Sequence, residues 1–290
     1  VITKRMAATI KKFQADGGLV VGDENTSPAI KPDIVLKSYK RVGLADKDKA
    51  ALLALAAELR DKLDSRYTRH VDSSSPNVIP YRRRYKETDY VFVVNDNREY
   101  GQYVGHHGLV MENGLPSRAT LSVRGPNSYV YDLVEHRAVA ATSKDGGTNF
   151  DVELGPCDGR LFMVCRRPID AVRIAAPESV KRGDKIRCEL AVVDADGKPL
   201  EMVVPLEVTI RDPGGRKAEF SGYWAAIDGR AVVELDIAPN DPLGVWQIEV
   251  RELASGKTAR RHFRVEGPKV RPPKSEKPDK ESSNPVQPLG

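Results

Sequence analysis

The chain has 290 residues, 40% hydrophobic and 30% charged, enough for two or three domains with cores of their own. Its 46 Lys and Arg against 41 Asp and Glu leave a formal charge of +5, and the longest basic run is Arg82-Arg83-Arg84. A nucleic-acid binder gathers more cations than this onto one element, and no stretch of about eighteen apolar residues exists to cross a membrane as a helix.

Ile2, Met6, Ile10 and Phe13 recur at helical spacing, with Lys4, Lys11 and Lys12 on other faces. Asp16-Gly17-Gly18 ends that helix, because glycine accepts the left-handed conformation that closes one. Leu19-Val20-Val21-Gly22-Asp23 then reads as a short strand, apolar on both faces, of the kind found inside a covered parallel sheet. No strand precedes the helix, and Ile34-Val35-Leu36 is the one short candidate after it. With a start at Val1 instead of methionine, residues 1–70 are expected to be a truncated α/β segment of something larger. No secretory signal is visible, which says nothing of a longer parent. A second helix starts near Asp46 as N-cap, carries the stripe Leu52, Leu55, Leu59 and Leu63, and pairs Glu58 with Lys62. Asp72-Ser73-Ser74-Ser75-Pro76-Asn77 reads as a linker.

From Val78 the pattern changes to short strands between turns. Arg82-Arg83-Arg84 reads as a solvated edge strand, since charge protects open edges. Tyr90-Val91-Phe92-Val93-Val94 reads as a buried strand ended by Asn95-Asp96-Asn97. Thr120 to Val123, Tyr129 to Leu133, the face Phe150, Val152 and Leu154, and Leu161 to Val164 complete an antiparallel sandwich over 78–168. A second sandwich, immunoglobulin-like, is expected over 171–266, with strands near 172–174, 185–193, 203–211, 218–220, 231–237, 245–251 and 258–265. The tail over 267–290, rich in Pro, Lys, Glu and Ser, is expected to stay disordered. The fold class is thus mainly β: two consecutive antiparallel sandwiches behind a small α/β piece.

Chemistry-bearing residues are sparse. His106 and His107 are neighbours, point apart in a strand, and read as turn or surface histidines. Asp194-Ala195-Asp196-Gly197 resembles the start of a calcium loop, but the twelfth position is Pro205, so a hairpin turn is expected and no metal site. Cys157 and Cys165 lie about 20 Å or more apart along one extended run, too far for a disulfide. Cys188 falls in an alternating apolar run and reads as core. Asp23 and Glu24 end the first strand, where ligands bind in parallel sheets, and equally suit a turn cap. Tyr100, Tyr103, Tyr223 and Trp224 are the rings that would stack on sugar if exposed, whereas Trp246 reads as core. No nucleophile elbow or phosphate loop is present, so no catalytic residue and no cofactor is expected within the chain.

Three stretches resemble known families. Phe13 through Glu24 is similar to the helix-Gly-Gly-strand of the glutamine-amidotransferase-like assembly domain behind the barrel of family-forty-two-type β-galactosidases. Asp89 to Asn95, Val130 to Leu133 and Gly159 to Phe162 resemble the accessory sandwich of many glycoside hydrolases. Asp196-Gly197-Lys198-Pro199, Pro213-Gly214-Gly215 and Gly244 to Ile248 resemble a macroglobulin-type, immunoglobulin-like module. The thioester segment of macroglobulins is absent, so protease trapping does not follow.

These resemblances imply the non-catalytic carboxy-terminal region of a bacterial glycoside-hydrolase-like protein, extracellular or periplasmic. Its role would be docking on the catalytic domain of the same parent, spacing it, and contacting polysaccharide, with no nucleic acid and no membrane span. Two alternatives stand beside it. One is an independent carbohydrate-binding or extracellular interaction module built on Tyr100 and Tyr103 or on Tyr223 and Trp224. The other is an enzyme whose site includes Asp23 and Glu24.

Overall fold

The computed structural model describes residues 2–104, 109–126, 129–144 and 146–267. The chain divides into two compact units, Val1–Pro168 with Ala254–Gly256, and Ile169–Leu253 with Lys257–Gly290. Strands dominate both, and the described residues hold two helices, so the class is mainly β. The expected tail, from 268 onward, lies outside the described residues.

In the first unit, α1 (Lys4–Ala15) begins where the Met6 N–H donates to the Thr3 hydroxyl at 3.2 Å. It stops at Gly17, whose φ of +91° is the left-handed conformation that residue was expected to supply. Two parallel strands follow, β1 (Val21–Asp23) and β2 (Ile34–Leu36), with Val21 opposite Ile34 and Asp23 opposite Leu36. Ala7, Ile30 and Ile34 are buried, but Met6 and Phe13 are 52% and 54% exposed, and Val21 and Val35 also face solvent. The helix stripe and the strands are therefore open to water in this segment. One helix cannot cover both faces of a sheet.

α2 (Ala45–Asp64) has Leu44 at its N-cap, without a side-chain cap, rather than Asp46. Asp48, inside the first turn, instead reaches back to the chain that enters the helix: its carboxylate receives the Val42 and Gly43 N–H groups at 2.9 and 3.0 Å and the Tyr39 hydroxyl. The Tyr39 hydroxyl, chief among these donors, holds that carboxyl below the usual range. Leu55, Leu59 and Leu63 are half-buried and Leu52 is exposed, so the leucine stripe is not a core seam. Polar ties hold the helix instead. Lys62 reaches Glu58 at 2.6 Å and the Val35 carbonyl at 2.9 Å, Lys49 reaches the Arg98 carbonyl at 3.0 Å, and Arg60 pairs with Asp72.

The rest of this unit is a sandwich. Its strands begin with β3 (Val71–Ser73), β4 (Val78–Tyr85), β5 (Thr88–Asn95), β6 (Arg98–Val104) and β7 (Leu109–Gly114). They continue with β8 (Ser117–Arg124), β9 (Tyr129–Asp132), β10 (Arg137–Val139), β11 (Thr142–Lys144), β12 (Gly147–Leu154) and β13 (Gly159–Cys165). One sheet runs β10-β9-β13-β5-β4, the other β11-β12-β8-β3, and β6 with β7 forms a separate hairpin. Val91, Val93, Leu121, Val123, Phe150 and Phe162 are buried in one core, the two rings 5.1 Å apart. Three readings change. The expected linker opens with β3, which pairs with β8. Phe92 and Val94 face outward, because β5 has one covered face instead of two. β4 is an edge strand as expected, yet Arg82 is mostly buried, paired at 2.7 Å with the buried Asp89, with Arg84 at 3.8 Å.

The second unit has β14 (Ala171–Ala175), β15 (Ser179–Lys181), β16 (Lys185–Val193), β17 (Val204–Arg211), β18 (Gly222–Ala226), β19 (Arg230–Asp236), β20 (Gly244–Glu252) and β21 (Thr258–Glu266). They form sheets β14-β16-β19 and β15-β21-β20-β17-β18, antiparallel except for the β15–β21 pair. Trp246 and Phe263 stack at 6.1 Å in its core, and the indole N–H donates to the Pro242 carbonyl at 3.0 Å. The strand expected at 218–220 is a turn; the chain rejoins the sheet at Gly222. Ser221 explains the delay, since its hydroxyl accepts the Ile210 N–H at 2.9 Å where a strand carbonyl would otherwise sit. The Asp194 loop is the expected turn. Its carboxylate accepts from the Asp196 and Lys198 N–H groups at 3.1 and 2.9 Å, and Gly197 takes a φ of +75°.

Candidate functional site

Besides the buried Ala7, Ile30 and Ile34, polar ties fold the segment from α1 to β2 on itself. Gln14 donates to the Lys31 carbonyl and to Asp33, both at 2.9 Å, and the Val20 N–H donates to Asp33 at 2.9 Å. These donors, Gln14 foremost, hold the Asp33 carboxyl below its ordinary range. Gly18 lets the chain turn beneath the Phe13 ring, since a Cβ there would lie 2.3 Å from Cε1 of that ring. Met6 and Phe13 on α1 and Val21 and Val35 on the strands remain exposed, with Val21 and Val35 on opposite faces of the pair. β1 and β2 pair only with each other among the described residues; the outer edge of β2 is partly taken by Lys62 of α2, which donates to the Val35 carbonyl, so the edge left for a further strand is that of β1.

Asp23 stands at the carboxyl end of β1. Its carboxylate accepts from the Ser38 hydroxyl at 2.8 Å, the Asn25 N–H at 3.0 Å and the Thr26 hydroxyl at 3.2 Å. The Ser38 bond, first of these, lowers its pKa. The carboxylate therefore ties the loop after β1 to the residue beyond β2, which is turn-capping geometry. Glu24 is exposed in that turn.

Tyr223 and Trp224 are adjacent on β18 and so face opposite ways. Trp224 lies opposite the buried Leu206 and is half-buried, while Tyr223, opposite Glu207, is 76% exposed. The two rings do not form one platform. Tyr100 and Tyr103 lie on β6 on either side of an irregularity in its pairing with β7, and their side chains lie outside the described residues, as do His106 and His107. Among the described residues no cluster of His, Cys, Asp or Glu has metal-binding proximity, and no helix is long and apolar enough to cross a membrane. Met6 and Phe13, read from the sequence as a helix stripe, stay open because the segment holds one helix and two strands against a sheet with two faces.

No family model and no curated protein matches the chain. Among solved structures it is similar to a superoxide reductase (neelaredoxin) from Ignicoccus hospitalis, with 19% identity over 34% of this chain and 82% of that one, at a TM-score of 0.27. It is similar to red sea bream transglutaminase at 11% identity over 72% of this chain, with a TM-score of 0.23. A glycosyl hydrolase family 2 member from Bacteroides cellulosilyticus follows at 14% identity over 62% of this chain, with a TM-score of 0.20. The chain spans 33% of the transglutaminase and 26% of that hydrolase.

Proposed function

We propose that this chain is the non-catalytic, carboxy-terminal accessory region of a larger glycoside-hydrolase-like protein. In this reading the α1–β2 segment docks on a bigger α/β body of the family-forty-two β-galactosidase type, and the sandwiches space that body from a surface and contact polysaccharide. The supporting observation is that Met6 and Phe13 on α1, and Val21 and Val35 on opposite faces of the parallel pair, are all exposed beside strands that gain no further strand among the described residues. Parallel strands are normally covered on both faces, so apolar residues exposed on both faces of this pair are what a docking partner would cover. The resemblance of residues 13–24 to an assembly domain supplies the identity of the body.

The coding sequence upstream of Val1 tests this directly. A barrel carrying two catalytic carboxylates, followed by an α/β domain lacking its last helix and strands, is the expected finding. A short reading frame beginning near Val1 would overturn the proposal, and so would glycosidase turnover by the purified 290-residue chain. A second reading, an independent sugar-binding module, rests on the exposed Tyr223 ring. Tyr223→Ala should then abolish glycan retention on an affinity gel; unchanged retention removes it.

A further inference from the structure

The second sheet of the first sandwich has an outward face that neither the docking surface nor the aromatic candidates use. Cross-strand pairing sets Thr142 beside Asn149, Asn149 beside Ser122, and Ser122 beside Asp72, a polar row across all four strands. Two residues along the same face, Lys144 pairs with Gly147 and Gly147 with Arg124. With strands about 4.8 Å apart, the two cations stand roughly 10 Å apart at Cα over a floor that has no side chain. That floor must remain bare, because a Cβ on Gly147 would lie 2.9 Å from the Val123 carbonyl oxygen.

The chain leaving α2 forms a wall. Tyr67 and Arg69 border a groove of about 680 Å³ over this face, within the size range of small-ligand sites. Arg69 is committed to Asp64 and, at 3.8 Å, to Asp72. Arg124 and Lys144 are exposed, and among the described residues neither has a carboxylate partner. The Ser122 hydroxyl donates to the Asn149 carbonyl oxygen, which leaves both Asn149 amide N–H groups and the Thr142 hydroxyl without a protein acceptor among the described residues. The groove therefore offers two cations with no carboxylate partner among the described residues, several neutral donors and the half-exposed ring of Tyr67.

We infer that this groove binds an anionic oligosaccharide, its carboxylate or sulfate seated between Arg124 and Lys144 over Gly147 and its hydroxyls accepting from Asn149 and Thr142. The bare floor, set by the close Val123 carbonyl, leaves room for a charged group between the two cations, and the donor row suits a polyol more than an extended acidic peptide. The inference rests on the polysaccharide contact of the proposed function but not on the docking surface, which lies on other elements.

The test is calorimetric titration of the full chain at low and high salt with oligogalacturonate, a sulfated oligosaccharide, a neutral oligosaccharide of equal length, and polyglutamate. Binding of one or both acidic sugars is expected, weakened by salt and weakened about tenfold in each of Arg124→Ala and Lys144→Ala. Which acidic sugar binds tells carboxylate from sulfate. Both substituted residues are exposed, so melting temperatures equal to the parent chain's confirm that the fold is kept. Equal binding of the neutral sugar overturns the anionic seat while leaving polysaccharide contact standing. Equal binding of polyglutamate, an unchanged affinity in both variants, or no binding by either acidic sugar overturns the inference outright.

Discussion

Cys157 sits in the turn between β12 and β13 at a φ of +54° with its thiol exposed, whereas Cys165 and Cys188 are buried. Burial pushes the Cys165 thiol up to about 12 and the Cys188 thiol up to about 11. The thiolate is the reactive form, so at pH 8 a thiol reagent should modify Cys157 alone in the native chain and all three in denaturant. Mass spectrometry of the labelled protein checks this, and rapid native labelling of Cys188 would contradict the packing. Gly229 is a second residue with a definite role. With Asp228 it makes the two-residue turn from β18 to β19, at φ values of +52° and +69°. A Cβ there would lie 2.6 Å from the Leu200 carbonyl oxygen. Gly229→Ala should cost about 2 kcal/mol in urea unfolding, from strain and the forced shift of a neighbouring backbone. Asp and Gly are residue types that accept the left-handed conformation such a turn requires. The clash was not legible in the sequence, because Leu200 reaches that turn only through folding.

At the scale of elements, α1 and α2 illustrate what periodicity does and does not establish. Both stripes are real, yet Met6 is more than half exposed and no leucine of the α2 stripe is fully buried. Met6→Ala should change stability by no more than about 0.5 kcal/mol, as at any surface site, where a core methionine would cost about 2–5. Thermal melts of the two proteins decide it. The loops around β1 and β2 depend instead on carboxylates. Asp23 and Asp33 both have folded pKa values below the ordinary 3.8. A depressed folded value means the stabilisation is complete above the unfolded pKa and is lost as pH falls through the lower folded one. Amide exchange at Val20 and Asn25, corrected for its intrinsic pH dependence, should therefore be flat from pH 5 to 8 and accelerate below about pH 3.8. Asp33→Asn should remove that step at Val20 while leaving it at Asn25.

At the scale of the whole molecule, each of the two units holds its own aromatic pair, Phe150 with Phe162 and Trp246 with Phe263. Phe150→Ala should cost about 3–5 kcal/mol, measured as a loss of exchange protection in β8, β12 and β13 while β20 and β21 keep theirs. Equal losses in both units would show that the two cores unfold together. The mainly β class, the turns at Gly17 and Gly197, the edge position of β4 and the core placement of Trp246 were all legible in the sequence. Each follows from residue type or period-two alternation, which depends only on neighbours along the chain. The outward turn of Phe92 and Val94 and the pairing of Arg82 with Asp89 were not, because cover comes from other segments. The groove shows the division most plainly. Alternation in Thr120-Leu121-Ser122-Val123 already marks Ser122 as outward, but only the pairing of β8 with β12 and of β12 with β11 brings Arg124, Gly147 and Lys144 into one row. Register is a property of strands together, so tertiary structure alone decided where those charges meet.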